Sequence, residues 1–120
     1  MVPLAFVIED DEDLSVIFTE ALQNVGYDVK ALKDGVVARE ALRESVPNLI
    51  LLDMHLPHVS GAELFDEIKQ NARYTKTIII ITTADARLGE MYQARADFVL
   101  IKPISFTQLR DLTNRLKSNI

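Results

Sequence analysis

In the stretch AFVIEDDEDLSV (residues 5–16), an apolar run is followed by an acidic run and then by a new apolar pattern, and this order indicates the fold. Four apolar residues run directly into five consecutive carboxylates, and an apolar pattern resumes at Leu14. A continuous apolar run is typical of a strand covered on both faces, whereas apolar spacings of three and four are typical of a helix. The stretch therefore predicts a buried strand, an acidic turn and a helix. Because five adjacent negative charges repel one another, the acidic turn calls for an explanation of its own.

The strand pattern of this stretch recurs along the chain. Four apolar runs are continuous, which predicts strands buried on both faces, and one run alternates, as an edge strand does. In chain order the five runs are LAFVI (4–8), YDVKAL (27–32), LILL (49–52), TIIIIT (77–82) and FVLI (98–101).

Helical periodicity fills the intervals between these runs. The first apolar stripe stops at Gly26, a residue that commonly ends helices. SGAE (60–63) and SFTQ (105–108) both have the spacing of a capping box and precede apolar residues at helical spacing. The predicted helices lie near residues 14–25, 37–42, 60–68, 86–95 and 105–116, and the fourth has the weakest pattern.

Strict alternation of strands and helices predicts a parallel sheet with helices on both faces. We expect an α/β protein with a flavodoxin-like (βα)5 fold, whose five-stranded sheet has the order 2-1-3-4-5. A length of 120 residues suits one domain, so residues 1–120 are expected to form a single unit.

The composition excludes several classes of function. With 13 basic and 18 acidic residues the net charge is -5, which disfavours direct binding of a nucleic-acid backbone. There is no cysteine, hence no disulfide framework and no thiolate metal site. The N-terminal residues lack the pattern of a signal peptide, and no apolar stretch is long enough for a membrane span. A cytoplasmic protein without a membrane partner is expected.

The residues that end the predicted strands bring chemical groups together. Glu9 and Asp10 follow the first strand, and Asp53 follows the third. Thr83 lies at the end of the fourth strand, and Lys102 follows the fifth. Ligands of open parallel sheets bind at the carboxyl ends of the strands. In the expected strand order, three carboxylates, a hydroxyl and an ammonium therefore share one crevice.

Such a crevice suits Mg²⁺ and phosphoryl chemistry. Carboxylates without thiolates favour a hard cation, and Mg²⁺ needs only one or two of them. A carboxylate can attack phosphorus to form an acyl phosphate, whose charge the metal and Lys102 would neutralise. Thr83 could donate to a phosphoryl oxygen. The acids at 11–13 are expected to cap the first helix, where their negative charges interact favourably with the positive end of the helix dipole.

Each of these residues, taken alone, also has an ordinary structural interpretation. The acidic run could be a solvated helix start, Asp53 a cap, Thr83 a satisfied hydroxyl and Lys102 a surface residue. His55 and His58 in DMHLPH could suggest zinc with Asp53, but structural zinc sites normally take four ligands from two segments. We interpret both histidines as exposed loop residues.

Four segments together resemble the response-regulator receiver domains of two-component signalling systems. They are FVIEDDEDL, NLILLDMHLPHVSG, IIIITTADA and FVLIKPIS, and their order and spacing match that family over nearly the whole chain. The resemblance implies that a sensor histidine kinase or phosphotransfer protein donates a phosphoryl group to an aspartate. The domain would then be a signalling switch that catalyses only its own phosphorylation and dephosphorylation. It would act on an unknown effector protein, with a phosphorylation-dependent homodimer as one form of output.

The resemblance also assigns roles to individual residues. Asp53 matches the phosphoacceptor, and Glu9 and Asp10 match the acidic pair that places Mg²⁺. The backbone carbonyl of His55 matches a further metal ligand. Thr83 matches the switch hydroxyl, and Lys102 matches the phosphate-contacting lysine. That lysine usually precedes a cis proline, which Pro103 permits.

Two positions depart from the family pattern. An aromatic switch residue is common three places before the lysine, where this chain has Val99, with Phe98 one place earlier. A shift of one residue in a strand points to the opposite face, so Phe98 is not expected to replace the switch. Arg95 stands where a turn glycine is common, which predicts a different turn or a strained backbone.

Three other functions compete with a phosphorylated receiver. A phosphorylation-independent pseudo-receiver would keep the fold as an interaction module, and Val99 argues mildly for it. A Mg²⁺-dependent phosphatase with an aspartyl nucleophile would need a second aspartate at position 55, where the chain has His55. A flavin carrier is disfavoured, because the acidic first loop would repel the flavin phosphate unless a metal intervened.

Overall fold

The computed structural model describes residues 1–120 and contains five strands and five helices. The strands are β1 (Leu4–Ile8), β2 (Asp28–Leu32), β3 (Leu49–Asp53), β4 (Ile78–Thr83) and β5 (Phe98–Ile101). The helices are α1 (Glu12–Asn24), α2 (Gly35–Glu44), α3 (Gly61–Lys69), α4 (Ala86–Tyr92) and α5 (Phe106–Lys117), with a short 3-10 helix at Ala72–Tyr74. All pairings are parallel, in the order β2-β1-β3-β4-β5. The expected fold class and strand order are confirmed.

Two apolar clusters lie on opposite faces of the sheet. Alternate residues of β1 enter different clusters: Phe6 and Ile8 pack with α2, α3 and α4, whereas Ala5 and Val7 pack with α1 and α5. Side chains of a strand alternate between the faces, so a central strand must be apolar throughout when both faces are covered. The continuous apolar runs of β1 and β3 follow from this arrangement.

Polar side chains begin three helices as predicted. Asp11 Oδ1 accepts a hydrogen bond from Leu14 N at 3.0 Å. Ser60 Oγ and Ser105 Oγ each accept from the backbone N–H three residues later, at 3.1 and 3.0 Å. Each bond satisfies an amide that the first turn of a helix leaves unpaired. The two acids after Asp11 lie in the first turn of α1, so part of the acidic run has the predicted capping role.

The burial of β5 differs from the prediction. Its continuous apolar sequence predicted coverage on both faces, but Phe98 is 38% and Ile101 41% exposed. β5 is an edge strand with β4 as its only neighbour, so its outer side chains reach solvent. The fourth helix is also shorter than predicted, since α4 ends at Tyr92 rather than at residue 95.

The turn before β5 is unstrained despite its arginine. His58 is the only residue other than glycine with a positive φ, so Arg95 does not occupy the strained region. The Arg95 amide donates to the Tyr92 carbonyl at 3.0 Å. Its guanidinium pairs with Asp66 at 2.9 Å and lies 5.0 Å from the centre of the Phe65 ring. Of the two outcomes that Arg95 predicted, a different turn or a strained backbone, the structure has the first, with these side-chain contacts beside the turn.

The register of the sheet aligns the strand ends that carry the candidate residues. Ile8 is paired with Leu52, so the residue after each lies at the same level. Asp53 is paired with Thr82, and Thr83 with Ile101. The carboxyl ends of β1, β3, β4 and β5 therefore form one edge.

Candidate functional site

Three carboxylates meet at the carboxyl edge of the sheet. Glu9, Asp10 and Asp53 each offer one oxygen, and these oxygens all lie within 4.8 Å of one another. Glu9 and Asp53 are only 1% and 2% exposed, whereas Asp10 is open to solvent. Carboxylate oxygens alone are the donor set of a hard cation. The cluster therefore fits Mg²⁺, with an exposed side through which the ion could keep water ligands.

One ammonium opposes these three negative charges. Lys102 Nζ lies 2.8 Å from Glu9 Oε1 and 3.4 Å from Asp53 Oδ1. Glu9 Oε2 accepts a hydrogen bond from the Asp11 amide at 3.1 Å. A single lysine leaves a net negative charge in the crevice, which favours binding of a further cation.

Burial sets the protonation behaviour of this pair. Burial raises the pKa of Glu9 to about 7, although Lys102 and the Asp11 amide favour its charged form, and the charge of Asp53 adds to the rise. Burial also opposes the charge on Lys102. The hydrogen bond to Glu9 and the charges of Asp53 and Glu9 outweigh it, so the pKa of Lys102 lies above its ordinary value.

The loop after β3 fixes the position of Asp53. The His55 amide donates to Asp53 Oδ1 at 3.2 Å, and the Gly61 amide donates to the Met54 carbonyl at 3.3 Å. A Cβ on Gly61 would overlap the carbonyl oxygen of Asp53 and lie 2.5 Å from Met54 Cα. The start of α3 can therefore approach the backbone of Asp53 only because residue 61 has no side chain.

Thr83 lies at the same edge, but its hydroxyl has other partners. Thr83 is fully buried, and its Oγ1 accepts from the Asp85 amide at 3.0 Å. The same oxygen lies 3.4 Å from Nε2 of His55. No hydrogen bond joins Thr83 to Asp53, so the hydroxyl is held by the β4–α4 loop and by the histidine. The Lys102–Pro103 peptide bond of the next loop is cis.

Val99 and Phe98 lie on different faces of β5. Val99 packs beside the cluster that contains Tyr92, whereas Phe98 is partly exposed. Val99 also lines a cleft of about 270 Å³ between α4 and β5. This arrangement agrees with the expectation that Phe98 does not take the place of an aromatic residue at position 99.

The structure brings together most of the residues that the sequence singled out. Glu9, Asp10, Asp53 and Lys102 form one cluster, whereas Thr83 lies beside it with its hydroxyl bonded elsewhere. His55 and His58 are exposed, and neither belongs to a group of three possible metal-binding side chains. The sequence did not predict the contact of the His55 ring with Thr83, because this contact depends on the conformation of the loop after β3, which the strand order alone does not fix. Nor did it predict the approach of residue 61 to Asp53, for which the glycine was the only signal.

No helix has both the length and the apolar character that crossing a membrane requires.

Comparison with known proteins gives concordant matches of sequence and structure. The family model for the "Response regulator receiver domain" matches residues 5–114. The phosphate regulon transcriptional regulatory protein PhoB of Rhizobium meliloti (strain 1021) is 35% identical over 112 residues. This alignment covers 91% of the chain and 49% of PhoB, so the chain spans about half the length of that relative.

Solved structures share the fold over nearly the full chain. The chemotaxis response regulator CheY4 of Vibrio cholerae has a TM-score of 0.84 at 21% identity, covering 97% of this chain and 99% of CheY4. The receiver domain of the sensor histidine kinase PA1611 from Pseudomonas aeruginosa PAO1 has a TM-score of 0.83 at 25% identity. That alignment covers 96% of this chain and 97% of the PA1611 domain, whose structure has a magnesium ion coordinated in its active-site cleft.

Proposed function

Since the chain belongs to the response regulator receiver domain family of two-component systems, we propose that it is a phosphorylation switch with Asp53 as its phosphoacceptor. The observation that carries the proposal is the meeting of three carboxylate oxygens within 4.8 Å beside the Lys102 ammonium. The phosphoryl donor would be a sensor histidine kinase or a phosphotransfer protein. Residues 1–120 would act as one receiver domain in the cytoplasm.

The acidic cluster would hold Mg²⁺ during the transfer. Asp10 and Asp53 would be direct ligands through carboxylate oxygens, and the backbone carbonyl of His55 would be a third. Buried Glu9 would orient the ion and its water. A bound Mg²⁺ supplies charge neutralisation for the acceptor and the phosphoryl oxygens.

Asp53 would act as the nucleophile. One carboxylate oxygen would form a bond to phosphorus while the bond from phosphorus to the donor breaks, giving an acyl phosphate on Asp53. The Asp53 side chain is almost fully buried and accepts a hydrogen bond from the His55 amide at 3.2 Å, which restricts its orientation. Such positioning supplies much of the catalysis in phosphoryl transfer.

Lys102 and Thr83 would respond to the new charge. The Lys102 ammonium lies 3.4 Å from Asp53 Oδ1 and would exchange this ion pair for a contact with a phosphoryl oxygen. Thr83 would leave the Asp85 amide and donate to another phosphoryl oxygen. Its movement would change the surface around β4, α4 and β5, where a downstream effector or a second copy would bind.

The proposed output does not require direct binding of nucleic acid by this domain. The net charge of -5 and the acidic edge of the sheet oppose contact with the phosphate backbone of a nucleic acid. PhoB is named as a transcriptional regulatory protein, but the chain spans only half of its length. We therefore propose that residues 1–120 signal by binding another protein. They would turn over no substrate beyond their own phosphorylation and dephosphorylation.

Intact mass spectrometry after incubation with acetyl phosphate and Mg²⁺ tests the proposal. The unmodified protein should gain one phosphoryl mass, and a chelator should prevent the gain. Asp53→Asn should show none, whereas Asp111→Asn, which changes an exposed aspartate of α5, should behave as the unmodified protein does. Stoichiometric labelling of Asp53→Asn would refute the acceptor assignment. Absence of labelling from both acetyl phosphate and a phosphorylated kinase would favour the pseudo-receiver.

A further inference from the structure

His55 contacts two different residues of the site through different atoms. Its backbone N–H donates to Asp53 Oδ1 at 3.2 Å, and its ring Nε2 lies 3.4 Å from Thr83 Oγ1. Thr83 Oγ1 also accepts from the Asp85 amide at 3.0 Å. The buried hydroxyl thus has one partner on its own loop and a second on the loop after β3.

We propose that His55 is a positioning residue whose ring holds the Thr83 hydroxyl in its resting orientation while Asp53 carries no phosphoryl group. This inference rests on the proposed function, because it assigns a role within the same switch. It goes further by identifying a side chain that opposes activation. Phosphorylation would have to break the contact between His55 and Thr83 before the hydroxyl could turn to a phosphoryl oxygen.

The hydrogen-bond donors and acceptors of the Thr83 hydroxyl and the His55 ring explain why their contact opposes activation. A threonine hydroxyl has one hydrogen to donate and two lone pairs. If that hydrogen is donated to an unprotonated Nε2, it is not available to a phosphoryl oxygen. If Nε2 carries a hydrogen instead, it donates to Oγ1 and orients the hydroxyl alongside the Asp85 amide. In both tautomers of His55, the contact stabilises the resting orientation of Thr83.

The location of His55 makes this role separable from folding. The residue is exposed and lies in the loop between β3 and α3, outside both apolar clusters. Truncating its side chain leaves its backbone carbonyl and amide in place, so the proposed metal ligand and the bond to Asp53 remain. The expected effect of His55→Ala is therefore easier activation with little change in stability.

Beryllofluoride, a phosphoryl analogue, provides the test. Its binding with Mg²⁺ would be titrated by fluorine NMR, which reports the bound fraction directly. His55→Ala should bind roughly twofold to tenfold more tightly, the range that one net hydrogen bond provides. His55→Gln, whose amide can reach the same hydroxyl, should return the affinity towards the unmodified value. His58→Asn, a change in the same loop, should have no effect.

Repeating the measurement in a Thr83→Ala variant separates the contact with Thr83 from other effects of the His55 ring. In Thr83→Ala the partner hydroxyl is absent, so His55→Ala should no longer change the affinity for beryllofluoride. An equal change in both backgrounds would overturn the inference, and so would unchanged or weaker binding by His55→Ala. These failures leave binding by the unmodified protein intact, whereas a failure of the proposed function removes that binding altogether.

Discussion

Lys102 Nζ lies 2.8 Å from Oε1 of Glu9, although β3 and β4 separate their two strands in the sheet. The lysine also lies 3.4 Å from Asp53, so one cation serves two buried carboxylates. Removing one partner of a buried ion pair leaves the other charge uncompensated, which costs more than the pair itself contributes. The same lysine is proposed to contact the phosphoryl group, so its replacement should affect stability as well as phosphorylation.

Replacing the lysine should destabilise the protein in the absence of metal. We expect Lys102→Met to lower the free energy of unfolding by about 2 kcal/mol at neutral pH, because Glu9 and Asp53 lose their counter-charge. Urea unfolding followed by circular dichroism would measure the loss, and added Mg²⁺ should restore part of it. Lys33→Met, which breaks the exposed pair with Glu12, should change stability by no more than about 0.5 kcal/mol. Equal losses for the two variants would contradict the prediction.

The exposed carboxylate of the cluster should determine the metal dependence. Asp10→Ala should reduce labelling by acetyl phosphate to the level that the unmodified protein shows with a chelator, and added Mg²⁺ should not restore it. The reason is that Asp10 is proposed as a direct ligand, and Glu9 and Asp53 alone leave the ion poorly held. Asp13→Ala, a change in the first turn of α1, should keep the normal Mg²⁺ response. A normal response in Asp10→Ala would exclude Asp10 as a ligand.

Residue 61 should tolerate no side chain. Gly61→Ala places a methyl group against the backbone of Asp53 and Met54. This overlap can be relieved only if the end of β3 or the start of α3 moves. We expect a loss of about 2 kcal/mol or more in unfolding free energy and slower phosphorylation of Asp53. Gly89→Ala is the matched control, because its nearest obstacle is the end of the exposed Ile101 side chain, at 2.7 Å. The better helix propensity of alanine should offset much of that contact. Similar losses at both glycines would show that the approach to Asp53 is unimportant.

Tyr27 should make stability depend on alkaline pH. Burial raises the pKa of its phenol from 10 to about 12, and its hydroxyl donates to the Thr113 carbonyl at 2.8 Å. Between these two pH values the unfolded chain loses the phenolic proton while the folded chain keeps it. The contribution of this proton, at most about 3 kcal/mol, is therefore complete below pH 10 and is lost as pH rises through about 12.

Chemical denaturation at several pH values would measure this loss. Tyr27→Phe should flatten the alkaline slope and cost about 1 kcal/mol at neutral pH, because the Thr113 carbonyl loses its donor. Tyr92→Phe, a change in the opposite core cluster, should retain the slope. An unchanged slope in Tyr27→Phe would assign the alkaline loss to another group.

Local pattern was sufficient to predict the elements and the edge of the sheet that carries the candidate site. Periodicity reports which faces of a strand or helix are buried, and alternating strands and helices have few ways to form a parallel sheet. The residues after each strand could therefore be assigned to one crevice without coordinates. Roles within that crevice, including the acceptor role of Asp53 and the metal contact through His55, remain predictions.

Contacts between elements were beyond the reach of local pattern. FVLI has the same apolar character as the central strands, yet β5 lies at the edge, because position in the sheet depends on all five units. Arg95 has no positive φ, and its side chain contacts Asp66 and Phe65 of α3, about thirty residues away along the chain, which local pattern does not reveal.

The sequence by itself determined the strands, the helices, the polar caps of α1, α3 and α5 and the chemical groups at the strand ends, since these depend on neighbours along the chain. Only the tertiary structure decided that Lys102 reaches Glu9, that residue 61 approaches the backbone of Asp53, and that the His55 ring contacts Thr83. Those relationships depend on strand register and loop geometry, where a displacement of a few tenths of an ångström changes which hydrogen bonds form.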